Sequence, residues 1–334
     1  MKLKTIIQTL NNIAPPQYAC IWDKQIGLQL GDKNAEIKRV LVALDVTSSV
    51  VDKAAVQKAD LIIAHHALFF SALGNIDLHQ PIGQKIAKLI KNDIAVFIAH
   101  SNLDAAPDGI NWTLARQNGL NPEKCEVIEP TYKEQLFKYV VFVPEEAVEA
   151  VHSAIAAAGG GHIGNYSDCT FRLNGTGTFR PLAGTQPYSG KQDELTKAAE
   201  VRIETIISAD KISDLLNAVR EKHPYEEIAY DIYPLKNTGR TYGLGLLGKP
   251  DKNSPYAKYK KIAVCSGGGG SLIQKASDKG AELFIIGEAG YHDQLLAEEL
   301  GLELKICGHR ETEEIIVPVL QERLRKELPE LEII

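Results

Sequence analysis

Three apolar runs in this chain each end in a histidine, and this pattern limits the folds that the chain can adopt. Leu61–Ala64 precedes His65 and His66, Val96–Ala99 precedes His100, and the run LKICG precedes His309. Short runs rich in Val, Ile and Leu are typical of buried strands in a parallel sheet. Because ligand sites in open α/β sheets form at the carboxyl ends of the strands, the pattern predicts a functional site built by these histidines.

Carboxylates accompany two of these histidines. Asp104 follows His100 by four residues, and Glu313 follows His309 by four. Four residues is just over one helical turn, so His309 and Glu313 would emerge on one face of a helix. Imidazole and carboxylate ligands brought together from separate segments are what a site for one or two divalent metals requires. The sequence therefore predicts a metal centre.

Each candidate also has a structural interpretation. His65 and His66 would point to opposite faces of a regular strand, and they converge only if the strand ends there. In the alternative interpretation, the two histidines form hydrogen bonds within a loop and bind no metal. Asp104 could cap the following helix, and the spacing of His309 and Glu313 also arises by chance. All of these residues follow predicted strands, and this shared placement favours a metal site over the separate structural interpretations.

Two further loops could contribute chemistry. His292, in the segment GEAGYHDQ, could serve as a ligand, a proton shuttle or a substrate contact, or simply cap the next helix. The glycines 267–270 follow the run IAVCS, and their backbone amides could cradle a phosphate. A tight strand-to-helix turn explains them equally, since they match neither GxGxxG nor GxxxxGK[ST].

The chain contains two segments with the same pattern and spacing, and this internal similarity bears on domain organisation. RVLVAL begins at Arg39 and ADLIIA follows at Ala59, while KIAVCS begins at Lys261 and AELFII follows at Ala281. Each pair is typical of a βαβ unit, the unit that builds parallel sheets. We interpret them as two related lobes of one domain, with chance similarity as the alternative.

Between these lobes the pattern of elements changes. Strand-like and helix-like segments alternate there in the order β-α-β, then β-α-β, which is the ferredoxin-like pattern. The predicted fold class is therefore α/β: two βαβ-containing lobes that form one domain, interrupted by a ferredoxin-like α+β insert. The expected boundaries are 1–128 for the first lobe, 129–235 for the insert and 236–334 for the second lobe.

Bulk properties exclude several classes of protein. The net charge of −6 over 334 residues, without a long basic run, argues against broad nucleic-acid binding. The five cysteines form no CxxC pair, which argues against a thiolate zinc site or a disulfide framework. No run approaches the ~20 apolar residues of a membrane span, and the first 20 residues lack a signal-peptide core. We therefore expect a cytoplasmic protein.

Four motifs in this order, HHALFF, HSNLDAAPDGIN, GEAGYHDQ and GHRETE, resemble the Ngg1-interacting-factor-like family. Its members are commonly labelled GTP cyclohydrolase 1 type 2 homologues or dinuclear metal-centre proteins. The segment EKHPYEEIAYDIYPL is similar to the insert of the longer members, which has a fold like the PII and divalent-cation-tolerance proteins. Two departures stand out: Ala67 follows the paired histidines where the family usually has proline, and Glu288 replaces an aspartate.

The resemblance implies two divalent metal ions per chain. The ligands would be His65, His66, Asp104, His309 and Glu313, with Asp104 or Glu313 bridging and His100 as a further candidate. Zinc, iron and manganese all suit such ligands. The resemblance also implies a homo-oligomer, a hexameric ring whose metal sites face an internal cavity.

Two functions from different classes follow. In the first, the protein is a metal-dependent hydrolase that opens the imidazole ring of GTP, or acts on another nucleotide, with formate as the product of the GTP reaction. His292 or His100 would then shuttle protons. In the second, the protein handles metal or acts as a regulatory scaffold without catalysis, and the insert is a sensing module.

Overall fold

The computed structural model describes residues 1–334 and divides into two compact units. Unit 1 comprises Met1–Tyr132 and Thr241–Ile334, and unit 2 comprises Lys133–Arg240. The unit boundaries fall a few residues beyond the domain boundaries expected from the sequence. None of the helices combines the length and hydrophobicity needed to span a bilayer.

The first part of the chain forms five helices and four strands. In chain order they are α1 (Leu3–Ile13), β1 (Gly27–Leu30), β2 (Arg39–Ala43), α2 (Ser48–Val56), β3 (Leu61–Ala64), α3 (Pro81–Lys91), β4 (Ala95–Ile98), α4 (Ser101–Ala105) and α5 (Ile110–Gln117). The middle part contains β5 (Glu126–Pro144), α6 (Val148–Ala157), β6 (Thr170–Phe179), β7 (Thr196–Ser208), α7 (Ile212–Lys222) and β8 (Tyr230–Gly248). The last part contains β9 (Ile262–Gly268), α8 (Ile273–Asp278), β10 (Leu283–Glu288), α9 (Tyr291–Glu299), β11 (Glu303–Ile306), α10 (His309–Glu313), α11 (Ile316–Glu327) and β12 (Glu332–Ile333).

The first sheet of unit 1 has the strand order β1-β4-β3-β2-β12. Its inner strands are parallel, and β1 adds to the edge in the antiparallel sense. Every residue of β3 and β4 is buried. Alternate residues of these strands contribute to two core clusters, one shared with α1 and α11 and one shared with α2 and α3. Burial on both faces explains why these strands are continuous apolar runs.

A second parallel group in unit 1 is formed by β9, β10 and β11, with β8 antiparallel to β9. Its two faces also contribute to separate cores, one with α8 and α9 and one with α5. Both β2-α2-β3 and β9-α8-β10 are therefore βαβ units with parallel strands. This confirms an α/β fold with mixed sheets; common ancestry of the two lobes stays a prediction.

In unit 2 the hydrogen-bonded strand order is β8-β5-β7-β6. The pairs β5–β7 and β6–β7 are antiparallel. The core of this unit is built from β5, β7, α6 and α7 around the buried ring of Tyr139.

The chain after β11 forms two helices, α10 and α11. Gly308 lies at the N-cap of α10 with φ +95, so the chain turns sharply between β11 and His309. That conformation suits glycine, because L side chains rarely adopt it.

Candidate metal centre

The predicted ligands lie at the carboxyl ends of strands in unit 1. His65 and His66 follow β3, His100 follows β4, and His309 follows β11 through Gly308. Of these, His66, His100 and His309 line a cavity of about 660 Å³, while His65 is buried and does not line it. The lining residues that carry functional groups or rings are Trp22, Asp45, Thr47, His66, Phe70, Lys85, His100, Ser101, Asp104, Asn111, Cys265, Ser266, His309 and Glu313.

Glu313 lies among three imidazoles. Its Oε1 is 3.1 Å from Nε2 of His309 and 3.8 Å from Nε2 of His65. Its Oε2 is 3.2 Å from Nε2 of His66. Ligand atoms that share a metal at bond lengths of about 2.0–2.2 Å are roughly 3 Å apart, so these separations suit a common ion.

The four histidines share one arrangement, in which Nδ1 is held by an oxygen and Nε2 is left for the site. Nδ1 of His65 donates to the Ala99 carbonyl at 3.0 Å, and Nδ1 of His66 donates to Asp45 at 2.8 Å. Nδ1 of His100 donates to Asp23 at 2.9 Å.

In His309, Nδ1 lies 3.0 Å from Glu288 Oε1. An oxygen partner on Nδ1 fixes the tautomer in which Nε2 of a neutral ring is unprotonated, and metal-binding histidines typically have such a partner. All four side chains are therefore oriented as ligands.

Two buried atoms in this cluster have no aligned hydrogen bond. One is Nε2 of His65, a residue that is 2% exposed. The other is Oε2 of Glu313, a residue that is 4% exposed, and Nε2 of His66 lies 3.2 Å from it. Buried polar atoms without partners are rare in folded proteins, because losing water without a replacement is costly. A cation between these atoms would satisfy both, so the residues present fit a metal ion.

The ligand atoms form two overlapping groups. His65, His66 and His100 make one, and His66, His309 and Glu313 make the other, with the atoms of each group within 4.8 Å of one another. His66 belongs to both groups. Either group could hold a metal ion.

Asp104 adjoins the cluster, and its Oδ2 lies 3.9 Å from Nε2 of His65. It belongs to α4, whose N-cap is His100, and the next helix is capped at Gly109. The helix-cap interpretation of Asp104 is therefore wrong. Its Oδ1 accepts a hydrogen bond from Ser266 at 2.9 Å, which orients the carboxylate.

The charges of the cluster perturb one another. Burial lowers the pKa of His66, but Glu313 and Asp45 outweigh it and raise the pKa to about 9. Burial opposes ionisation of Glu313, but the imidazoles of His65 and His66 outweigh it and bring the pKa to about 2. Without a metal, protons on the imidazoles therefore balance this carboxylate, and a metal that binds must displace them.

The glycine run after β9 has a packing role. A Cβ on Gly267, which has φ +59, would lie 2.2 Å from Oε1 of Glu313 and 3.2 Å from Nε2 of His309. A Cβ on Gly269 would collide with Ile286, and one on Gly270 with Asp293. Close packing and the turn explain the glycines without a phosphate.

His292 is the predicted site residue that the structure leaves apart from the others. It is exposed on the first turn of α9, against the ring of Tyr291, and it is absent from the cavity lining. Its proton-shuttle role stays a prediction.

Sequence reasoning missed Asp23 and Asp45. Asp45 comes directly after the strand run RVLVAL, which was the available signal. Asp23 lies in a loop without such a signal.

Comparisons with known proteins agree with these motifs. The family model Duf34/NIF3 (NGG1p interacting factor 3) matches residues 1–334. A Bacillus subtilis (strain 168) protein named GTP cyclohydrolase 1 type 2 homolog is 41% identical over 327 residues, covering 91% of this chain and 87% of that protein. A Halalkalibacterium halodurans protein of the same name is 39% identical over 346 residues, covering 97% of this chain and 92% of that protein.

Solved structures show the same similarity. A Bacillus cereus protein related to NIF3 superposes with a TM-score of 0.91 at 39% identity, covering 100% of this chain and 96% of that one. The Staphylococcus aureus protein SA1388 superposes with a TM-score of 0.71 at 26% identity, covering 100% of this chain and 95% of that one.

Proposed function

Because this chain belongs to the Duf34/NIF3 family, we propose that its histidine–carboxylate cluster holds two divalent metal ions and that the protein is a metal-dependent hydrolase of a nucleotide. The proposed ligands are His65, His66, Asp104, His309 and Glu313, and Nε2 of His100 is left uncoordinated for proton transfer. The supporting observation is the pair of buried atoms, Nε2 of His65 and Oε2 of Glu313, that have no aligned hydrogen bond although other ligand atoms lie within 4 Å of them.

A divalent metal bound there would supply Lewis acidity toward a carbonyl, ring or phosphoryl group of the substrate. The chain itself supplies orientation. The oxygen partners of the four Nδ1 atoms hold the rings in place before any ligand arrives, which reduces the reorganisation that binding requires. The cavity is large enough for a small organic substrate, since volumes of about 300–1,000 Å³ are typical of sites for such ligands.

Proton transfer is assigned to His100. Its Nδ1 proton is held by Asp23, and hydrogen bonds from His100 and Ser101 outweigh burial and bring the pKa of Asp23 to about 2. Asp23 therefore stays ionised and holds the ring with Nε2 toward the cavity, where Nε2 can accept a proton from a substrate or water. His292 is the second candidate, reached only if α9 or the substrate brings it near the cavity.

The nucleotide assignment rests on the names of the relatives, which are called GTP cyclohydrolase 1 type 2 homologs. The test measures formate release from GTP by protein loaded separately with zinc, iron(II) or manganese. We expect turnover in the wild type and its loss in the His309→Ala/Glu313→Ala variant. The control is His162→Ala, which changes an exposed histidine of unit 2.

Metal content, measured on the same samples, separates the two parts of the proposal. Bound metal without formate release from any loaded form would overturn the GTP reaction and favour metal handling or a regulatory role. Equal metal content in the wild type and the double variant would overturn the ligand assignment itself.

The fold of unit 2 and the assembly state are further parts of this proposal. The element order β5-α6-β6-β7-α7-β8 and the strand order β8-β5-β7-β6 support a ferredoxin-like insert of the PII or divalent-cation-tolerance type. The homohexamer is the assembly that the resemblance to the family implies. Light scattering coupled to size exclusion would test the hexamer, and a monomeric mass would overturn it.

A further inference from the structure

Unit 2 contains a second cavity, of about 500 Å³, whose lining residues all belong to that unit. It lies between β5, the end of β6, the start of β7 and the loops that follow β6 and α7. The lining residues include Phe142, Phe179, Arg180, Pro181, Leu182, Thr185, Pro187, Tyr188, Glu200, Tyr225, Glu226 and Glu227. None of them belongs to the metal cluster, so the cavity is a separate feature of the chain.

Aromatic rings form a large part of the wall. The ring of Tyr225 lies 5.8 Å from that of Tyr188 and 6.4 Å from that of Phe179, each measured between centroids and tilted. Phe142 adds a fourth ring from β5. The faces of aromatic rings carry partial negative charge, which attracts cations.

Carboxylates supply the charge of the wall. Glu200, Glu226 and Glu227 line the cavity, against a single cation, Arg180. The guanidinium of Arg180 donates to the backbone carbonyl of Asp193. The net charge of the lining is therefore negative.

The wall is held in place by hydrogen bonds. Oε1 of Glu200 accepts a hydrogen bond from the Tyr225 hydroxyl at 2.9 Å, and Oε1 of Glu226 accepts one from the backbone N–H of Gln186 at 2.9 Å. The second oxygen of each carboxylate, Oε2, takes part in neither of these two hydrogen bonds. The Tyr188 hydroxyl donates to Glu146 at 2.7 Å, which fixes the loop after β6 over the cavity.

Gly177 makes room for one of these carboxylates. A Cβ at this position would lie 2.0 Å from Oε2 of Glu200, so any larger residue on β6 would displace the carboxylate. A preformed apolar cavity of this size with a few fixed polar groups is what small-molecule sites share.

We propose that this cavity binds a small organic cation, an amine or quaternary ammonium attached to an apolar or aromatic body. The rings of Phe179, Tyr188 and Tyr225 would contact the apolar body and the charged head, and Glu200 and Glu226 would balance the charge. An organic anion would meet the carboxylates and be repelled. A neutral aromatic compound would gain the ring contacts but would also cover the carboxylates without compensating them.

The test uses the full chain and three probes of similar size: benzyltrimethylammonium, benzyl alcohol and benzoate. Binding is followed by calorimetry and by the methyl resonances of Leu182 and Ala229, which line the cavity. We expect saturable binding of the cation, roughly tenfold tighter than that of benzyl alcohol, with benzoate the weakest. Equal affinity for the cation and the alcohol, or no shift of these resonances, would overturn the proposal.

Substitutions in the cavity wall test whether the cation binds in this cavity. Glu200→Gln keeps an acceptor for the Tyr225 hydroxyl but removes the charge, and Tyr188→Leu removes one ring; each should weaken cation binding severalfold. Glu221→Gln, on the exposed face of α7, is the matched control and should leave affinity unchanged. Unchanged affinity in both cavity variants would overturn the proposal, as would loss of binding in the His309→Ala/Glu313→Ala variant, because that result would place the ligand in unit 1.

Discussion

At the residue scale, the geometry of the candidate metal centre depends on what surrounds the proposed ligands. Gly267 illustrates this, because its missing side chain leaves the space that Glu313 occupies. Asp45 is a second example, because its hydrogen bond orients the His66 ring although Asp45 belongs to neither ligand group. The residues that orient the ligands should therefore affect metal binding as strongly as some ligands do.

We predict that Gly267→Ala lowers metal content sharply and destabilises the fold by about 1–3 kcal/mol, the cost of forcing a side chain into a left-handed backbone conformation. The control is Gly280→Ala, since Gly280 also has positive φ (+82) but no atom within 4 Å of the point where a Cβ would lie. Both variants lose stability because alanine is strained at a positive φ, but only Gly267→Ala also displaces the Glu313 carboxylate. Elemental analysis and thermal unfolding of both variants check this, and equal metal content would contradict it.

We predict that Asp45→Asn weakens metal affinity by about 10- to 100-fold, the usual effect of removing a carboxylate that orients a ligand histidine. The asparagine oxygen can still accept a hydrogen bond from Nδ1 of His66, but it lacks the negative charge that makes the imidazole a stronger ligand. Competition with a chromophoric chelator measures the affinity. Asp52→Asn, at an exposed ion pair with Lys88, should bind metal like the wild type, and a similar loss there would show that the effect is not specific.

At the scale of elements, the apolar runs predicted β3, β4, β9 and β10, because burial on both faces leaves a continuous apolar signature. The helix α4 and the strand β12 were not predicted, since five residues and two residues carry no periodicity. The histidines were found because each follows a strand. Asp23 was missed because its loop is positioned only by tertiary contacts, its carboxylate accepting hydrogen bonds from Ser101 and His100.

The C-terminal end of α7 provides a pH-sensitive contact in unit 2. Nε2 of His223 donates to the Phe142 carbonyl, and its Nδ1 accepts from the Tyr225 backbone N–H. Burial lowers the pKa of His223 below its usual value of 6.5, and the Phe142 contact and Glu200 offset only part of this. The neutral ring satisfies both bonds, whereas protonation would remove the acceptor at Nδ1.

Because the folded state disfavours protonation of His223, unfolding takes up a proton once the pH falls below about 6.5. We therefore predict that the contribution of His223 to stability is complete above that pH and is lost as the pH falls toward the lowered folded-state value. Urea unfolding at pH 8 and pH 5.5 should show that His223→Gln costs less at the lower pH. His79→Gln, at an exposed site, should show no such difference, and an equal cost of His223→Gln at both pH values would contradict the prediction.

At the scale of the whole molecule, the proposed ligands come from distant parts of the chain, so a bound metal would connect them only in the folded state. We predict that a chelator lowers the melting temperature of metal-loaded protein. A ligand present at 100 times its Kd stabilises the folded state by about 2.7 kcal/mol. The His309→Ala/Glu313→Ala variant should show a smaller chelator shift than the wild type, because it loses two ligands of one group and keeps His65, His66 and His100. An equal chelator shift in the two proteins would contradict the assignment.

The pairing of β12 with β2 has a consequence for how this protein is made. Glu332 lies beside Arg39 and Ile333 beside Val40, while α11 packs into the same core as α1. The strand β2 is synthesised early, but its edge is covered only after β12 has been synthesised. During synthesis on the ribosome, unit 2 has all of its sequence available while unit 1 still lacks the strands β9 to β12. The nascent chain therefore exposes the apolar edge of β2 and the core face of α1 until α11 and β12 have been synthesised, and we expect this interval to be the stage at which chaperones matter most.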